Sequence, residues 1–125
     1  MKAKFYICTH CGNQISMMKD AGVPVVCCGE KMTALVPNTV DASGEKHLPV
    51  VNVENGVVQV NVGSVDHPMI PQHYIEWIYV ETEQGGQFKT LKPEDAPHAV
   101  FALGEDKPIA VYAYCNLHGL WMTEV

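Results

Sequence analysis

The chain has 125 residues, which is enough for one ordinary domain or for a small module joined to a compact domain. Apolar residues make up 47% of it and charged residues 18%, so it can bury a real core. No stretch approaches the ~20 apolar residues that a membrane span requires. The formal net charge of −6 has the wrong sign for a protein that binds nucleic acid or an anionic membrane, so we expect neither as a partner.

The N-terminal segment carries two lysines, but Cys8 follows before an apolar run long enough for a secretory signal can form. We therefore expect a cytoplasmic protein. Four of its five cysteines lie in the first 28 residues. An odd number of cysteines without a signal peptide argues against a disulfide framework and favours metal ligation.

Residues 4–36 are rich in turn signals, which interrupt every apolar run before a long element could form. Such a segment has little core of its own, and modules of this size usually depend on a metal or on disulfides. We therefore divide the chain into a metal-binding module, residues 1–37, and a second domain, residues 38–125.

The second domain is predicted to be all-β, because short runs of Val, Ile, Tyr and Trp alternate with turn signals. The clearest element is a hairpin of residues 48–53 and 57–62, whose Asn55-Gly56 turn suits a positive φ at both residues. Val51 and Val53 alternate with polar residues, which predicts one buried face. Further strands are predicted at residues 74–80, 87–91, 99–103 and 109–114. About six or seven strands in this length are typical of an immunoglobulin-like β-sandwich.

The spacing of the first four cysteines predicts a four-thiolate metal site. Cys8 and Cys11 are separated by two residues, which lets both sulfur atoms face one ion, and fifteen residues separate Cys11 from Cys27. All-sulfur tetrahedral coordination selects zinc or iron, and spacing alone leaves both open. Cys27 and Cys28 are adjacent, an arrangement that forces unequal angles at the metal. His10 is expected to be an exposed turn residue.

Cys115 precedes His118 by three positions, a spacing that can place a sulfur and an imidazole on one ion. This motif alone is a weak signal. The remaining histidines, taken one by one, are expected to be ordinary surface or core residues, since an imidazole needs no metal to be useful.

Four segments of the second domain, taken together and in order, resemble desulfoferrodoxin, the family of two-iron superoxide reductases. These segments are Glu45–Val50, Gly63–Met69, His73–Ile78 and Tyr114–Gly119. The N-terminal cysteines also resemble the desulforedoxin module of that family, so the resemblance covers nearly the whole chain. Lys31 stands where proline often follows the Cys-Cys-Gly-Glu motif, and the C-terminal tail differs, but neither departure falls on an expected ligand.

The resemblance implies two irons per chain. The first, a rubredoxin-like iron for which zinc could substitute, would be held by Cys8, Cys11, Cys27 and Cys28. The second would have four equatorial imidazoles and one axial thiolate, those of His47, His67, His73, His118 and Cys115. By the same resemblance, Lys46 would lie over the open position and Glu45 would close onto the oxidised iron.

The activity that the resemblance implies is the one-electron reduction of superoxide to hydrogen peroxide without release of oxygen. Neutral imidazoles and one thiolate on ferrous iron leave a local positive charge, which attracts a small anion. The expected donor is a rubredoxin or a similar small electron carrier, and the expected assembly is a homodimer. The alternatives are superoxide dismutation, an electron carrier or metal-stabilised binding module without superoxide chemistry, and a two-histidine-one-carboxylate oxygenase.

Overall fold

The computed structural model describes residues 3–125. The chain forms two compact units, of which the first ends at Val36 and the second spans Pro37–Val125. The division expected from the sequence lies one residue later. Within residues 3–125, no helix is both long and apolar enough to cross a membrane.

The first unit consists of five very short strands. They are β1 (Phe5–Ile7), β2 (Gln14–Ser16), β3 (Val26–Cys27), β4 (Glu30–Lys31) and β5 (Thr33–Ala34). The first sheet has the order β2-β1-β5, and β3 and β4 form a separate hairpin. Among the described residues of this unit only Phe5 and Cys8 are buried. So small a core contributes little to folding, as expected for a module that depends on a metal.

The second unit contains one short helix and seven strands. They are α1 (Gly44–His47), β6 (Pro49–Glu54), β7 (Val57–Val62), β8 (Ile75–Thr82), β9 (Gly85–Thr90), β10 (His98–Ala102), β11 (Pro108–Cys115) and β12 (Gly119–Glu124). One sheet has the order β10-β7-β6 and the other β12-β11-β8-β9. The mainly β fold class predicted from the sequence is confirmed.

The core lies between the two sheets and follows the alternation of the strands. On β7, Val58, Val60 and Val62 are fully buried. Their apolar partners across the core come from β8 and β11 of the other sheet, and β10 adds Ala99 and Phe101 from the same sheet. Burying each such side chain contributes about 1.5–3 kcal/mol. The buried face predicted for the neighbouring strand is wrong in part: Val53 is 42% exposed and Val51 only half-buried. The reason is that β6 is the edge strand of its sheet.

The β6–β7 hairpin turns at Asn55 and Gly56, with φ values of 51° and 74°. Both lie in the left-handed region that the Asn-Gly pair was expected to adopt. A Cβ atom on Gly56 would also come within 2.5 Å of the carbonyl oxygen of Gly104. Position 56 therefore requires glycine for two reasons, its positive φ and this close backbone contact. Helix α1 and strand β12 were not predicted.

Candidate metal centres

The four thiols of the first unit converge on one point from two turns. Cys8 and Cys11 flank the turn after β1, and Cys27 and Cys28 lie in the β3–β4 hairpin. The four sulfur atoms lie within 4.8 Å of one another. Neighbouring residues of a strand point to opposite faces, but Cys28 has a φ of 53° and leaves the strand conformation. This local turn explains how two adjacent cysteines serve one site.

The pKa values of these thiols differ widely. The backbone N–H of Cys11 donates to Sγ of Cys8 over 3.5 Å and is the largest reason why the pKa of Cys8 falls to about 6. Hydrogen bonding with the thiols of Cys11, Cys8 and Cys27 raises the pKa of Cys28 to about 12. Four sulfurs this close cannot all be thiolates unless a cation lies among them. The donor set fits a tetrahedral zinc or iron site.

A second cluster, in the second unit, draws five side chains from three places in the chain. His47 is the last residue of α1, and His67 and His73 lie in the loop between β7 and β8. Cys115 ends β11, and His118 lies in the turn to β12. Because Cys115 is fully buried and belongs to the apolar core, its thiol reaches the cluster from the core side.

The four imidazoles form a ring in the order His47, His67, His73, His118. The centroids of neighbouring rings are 4.7, 4.6, 5.1 and 4.9 Å apart, and their planes meet at 77°, 84°, 76° and 85°. His47 and His73, across the ring, are 6.4 Å apart. Four imidazoles that surround one centre edge to face can each direct a ring nitrogen at that centre. This is the arrangement that four nitrogen ligands in a square plane need.

Two of these imidazoles are held by backbone carbonyls. Nδ1 of His47 lies 2.6 Å from the carbonyl oxygen of Ser43, and Nδ1 of His67 lies 2.7 Å from that of Pro68. Since only an N–H can bond to a carbonyl, we assign the proton to Nδ1 in both rings. Each Nε2 then carries a free lone pair, and the two Nε2 atoms are only 3.2 Å apart. Such a contact is repulsive unless a cation lies beside both atoms.

The remaining side chains complete the donor set. Nδ1 of His118 lies 3.1 Å from Nε2 of His47 and 3.9 Å from Sγ of Cys115. Within residues 3–125, Nε2 of His73 is buried and has no hydrogen-bond partner. The ligand atoms of His47, His67, His73 and Cys115 lie within 4.8 Å of one another. Imidazole nitrogens with one thiolate suit a first-row transition metal such as iron.

The pKa values of three imidazoles in this cluster favour the neutral form, which binds a metal, whereas the pKa of the Cys115 thiol favours the protonated form, which does not. Burial lowers the pKa of His67 to about 4 and also lowers the pKa values of His47 and His73. These imidazoles are therefore neutral at pH 7, as ligands must be. Burial raises the pKa of the Cys115 thiol, so its deprotonation requires the charge of a bound metal.

Glu45 and Lys46 immediately precede His47, and both side chains are exposed. After burial and the charge of His118, the charge of Lys46 is a further reason why the pKa of His73 is lowered. The short helix that carries them is held in place by its backbone. The carbonyl oxygen of Glu45 accepts hydrogen bonds from the N–H of Val65 at 2.9 Å and the hydroxyl of Ser64 at 3.2 Å.

Comparison with known proteins places the chain in a family. The family model described as Desulfoferrodoxin matches residues 39–124. The chain belongs to the desulfoferrodoxin family. It is 44% identical to the desulfoferrodoxin of Nitratidesulfovibrio vulgaris over 97% of this chain and 95% of that one. It is 41% identical to the superoxide reductase of Pyrococcus horikoshii, over 68% of this chain and 90% of that one.

Among solved structures, the superoxide reductase from Treponema pallidum matches with a TM-score of 0.84 and 41% identity. The match covers 99% of this chain and 100% of that chain. The resemblance seen in the sequence is thus confirmed at the level of the desulfoferrodoxin family, and the structure brings the expected side chains together in two clusters.

The sequence did not reveal the groups that hold the ligands. Ser43 and Pro68 act through backbone carbonyls, which every residue has, so no side-chain pattern could point to them. His10 is exposed, as expected, and its Nε2 lies 3.1 Å from a carboxylate oxygen of Glu30.

Proposed function

We propose that this chain is a superoxide reductase, which combines superoxide with one electron and two protons to give hydrogen peroxide and releases no oxygen. The observation that carries the proposal is the ring of four imidazoles with a thiol entering from the core side. The relatives named superoxide reductase and the solved structure of one support the same activity.

The proposal includes two irons per chain. Cys8, Cys11, Cys27 and Cys28 would hold the first, and zinc could substitute there. His47, His67, His73, His118 and Cys115 would hold the second. An iron held there would supply the electron that reduces superoxide. Because Cys115 approaches from the core, the side away from the core is the one from which a small anion can enter.

Lys46 supplies local positive charge for the capture of that anion. The whole chain carries a formal charge of −6, which repels superoxide at long range. An exposed ammonium group one residue from His47 opposes this repulsion at the site itself. We propose that Lys46 attracts superoxide and positions the water that delivers protons.

Glu45 has a role after the reduction. Its carboxylate is exposed and its backbone is anchored to Ser64 and Val65. We propose that the side chain turns toward the oxidised centre and helps to displace peroxide. Glu45→Ala should therefore shift the visible band of the oxidised protein, whereas Glu54→Ala, which removes an exposed carboxylate at the end of β6, should not.

The electron that regenerates the second centre must come from outside, and we propose a rubredoxin or a similar small carrier as donor. We further propose a homodimer that acts in the cytoplasm.

The first test is a visible spectrum during stepwise reduction, with iron and zinc quantified on the same sample. Two irons per chain, with rubredoxin-like bands and a separate longer-wavelength thiolate-to-iron band that bleaches first, are expected. One metal per chain without the second band would contradict the proposal and favour an electron carrier or a metal-stabilised binding module. Evolution of oxygen from superoxide would favour dismutation.

The second test measures the rate of superoxide capture by Lys46→Ala. We expect a rate about 10-fold lower, and less dependent on ionic strength, with unchanged metal content. The matched control is Lys107→Ala, which removes the same charge from an exposed lysine before β11. Cys115 ends that strand, so the charge of Lys107 lies on the order of 25 Å from Cys115. At this distance salt largely screens its effect on the second centre. Equal rates in all three proteins would remove Lys46 from the mechanism.

A further inference from the structure

Trp121 contacts two of the five residues in the second cluster, one through its side chain and one through its backbone, without offering a ligand itself. It lies on β12 and is only 6% exposed. Its indole ring stacks on the imidazole of His47, with centroids 4.9 Å apart and planes inclined by 29°. Its Nε1–H donates to the backbone carbonyl of His118 over 3.1 Å. One side chain therefore restrains both a ring and a stretch of main chain.

These two contacts join parts of the chain that are distant in sequence. His47 and His118 are 71 residues apart, yet Nε2 of the first lies 3.1 Å from Nδ1 of the second. His47 is carried by a four-residue helix and His118 by a turn, neither of which is rigid in isolation. Trp121 is itself held in place although β12 is an edge strand, since it is buried and pairs with the fully buried Ala113 of β11.

We propose that Trp121 is a positioning residue of the second metal centre, an inference that rests on the proposed function. It fixes the ring plane of His47 and the backbone of His118, so that their nearest nitrogens stay aimed at one point. The contact also has a chemical consequence. An imidazole bound to a cation becomes electron-poor, and its stacking on an electron-rich indole then strengthens, which favours the metal-bound form.

The test compares Co²⁺ binding by the full-length wild type, Trp121→Leu and Trp121→Phe. A site with one thiolate and a site with four give different Co²⁺ absorption bands, so one titration follows both centres. We expect Trp121→Leu to weaken Co²⁺ binding at the second centre by about 10- to 100-fold. Trp121→Phe, which keeps a ring but loses the N–H donor, should fall between it and the wild type. In the iron-loaded variants the long-wavelength thiolate-to-iron band should shift.

Two controls separate positioning from general damage. The four-cysteine centre is an internal control, whose affinity should not change. Trp77→Phe is the matched control, because Trp77 stacks on Tyr114 at 5.8 Å rather than on a histidine of the cluster. Unchanged affinity and band position in both Trp121 variants would overturn the inference. If Trp121→Leu does not fold, Trp121→Phe decides alone, and wild-type behaviour in it would overturn the inference. A wild type that binds Co²⁺ only at the four-cysteine centre would overturn the proposed function as well.

Discussion

The metal-free second unit should lose about 3 kcal/mol of stability between pH 6.5 and pH 4 because of His67 alone. Burial lowers the pKa of this imidazole from its ordinary value of 6.5 to about 4. Above pH 6.5 neither the folded nor the unfolded chain binds the proton. Between pH 6.5 and pH 4 only the unfolded chain binds it, so the free energy of unfolding falls as the pH falls. Below pH 4 both states bind it and the curve flattens. Each pH unit in this window contributes about 1.4 kcal/mol.

The assay is urea unfolding of the metal-free protein, followed by tryptophan fluorescence at a series of pH values. Both tryptophans, Trp77 and Trp121, lie in the second unit, so the signal does not report on the first. Burial also lowers the pKa values of His47 and His73, which steepens the curve of every variant. The decisive quantity is therefore the difference between the wild type and His67→Gln, whose amide takes no proton in this range.

We expect the difference in free energy of unfolding between the wild type and His67→Gln to change by about 3 kcal/mol as the pH falls from 6.5 to 4, because only the wild type loses the contribution of His67. His98→Gln is the control, since His98 is exposed at the start of β10, and its curve should parallel that of the wild type. Parallel curves for the wild type and His67→Gln would refute the reasoning, because they would mean that the folded state accepts the proton as easily as the unfolded chain does.

Three further substitutions test the fold that supports the two centres. In Gly63→Ala the new Cβ would lie 2.5 Å from the carbonyl oxygen of Glu45, so α1 must shift; we expect metal to be lost from the second centre only, as quantified per chain. Phe101→Ala, at a core position only 1% exposed, should lower the free energy of unfolding by about 3–5 kcal/mol in urea. Cys11→Ser should abolish metal binding in the first unit and leave the near-UV circular dichroism of the second intact, because the two are separate compact units.

Each of these expectations has a clear contrary result. Full metal content in Gly63→Ala would show that α1 tolerates the extra methyl group, and a loss below about 1 kcal/mol in Phe101→Ala would show that the core closes around the cavity. Loss of the second unit's circular dichroism in Cys11→Ser would mean that the two units do not fold independently.

The sequence predicted best those elements whose conformation depends on residues close together in the chain. The Asn55-Gly56 turn and the alternating valines located β6 and β7 to within one residue, because a hairpin is specified by its turn and its period. Helix α1 has only four residues, fewer than the two turns over which helical periodicity can be recognised. Strand β12 follows directly on the turn of His118 and carries mostly apolar residues without alternation.

The second centre was beyond any local pattern. Spacing offered only the weak Cys115 and His118 motif, and the other three histidines became candidates through the resemblance of whole segments to desulfoferrodoxin, since nothing local joins His47 with His118 over 71 residues. Convergence of this kind is a property of the folded sheets. The four-cysteine cluster differs, because short turns bring its thiols together, and there the spacing alone pointed to a metal site.

The geometry also explains why the second cluster can hold its shape before a metal binds. Two lone pairs 3.2 Å apart repel each other, and a buried thiol with a raised pKa does not relieve them. The carbonyls of Ser43 and Pro68 nevertheless keep both rings in this orientation. The apolar core behind Cys115 stabilises the strand from which the thiol projects. Folding therefore places these nitrogen and sulfur atoms close together in advance, and a cation bound among them would relieve that repulsion.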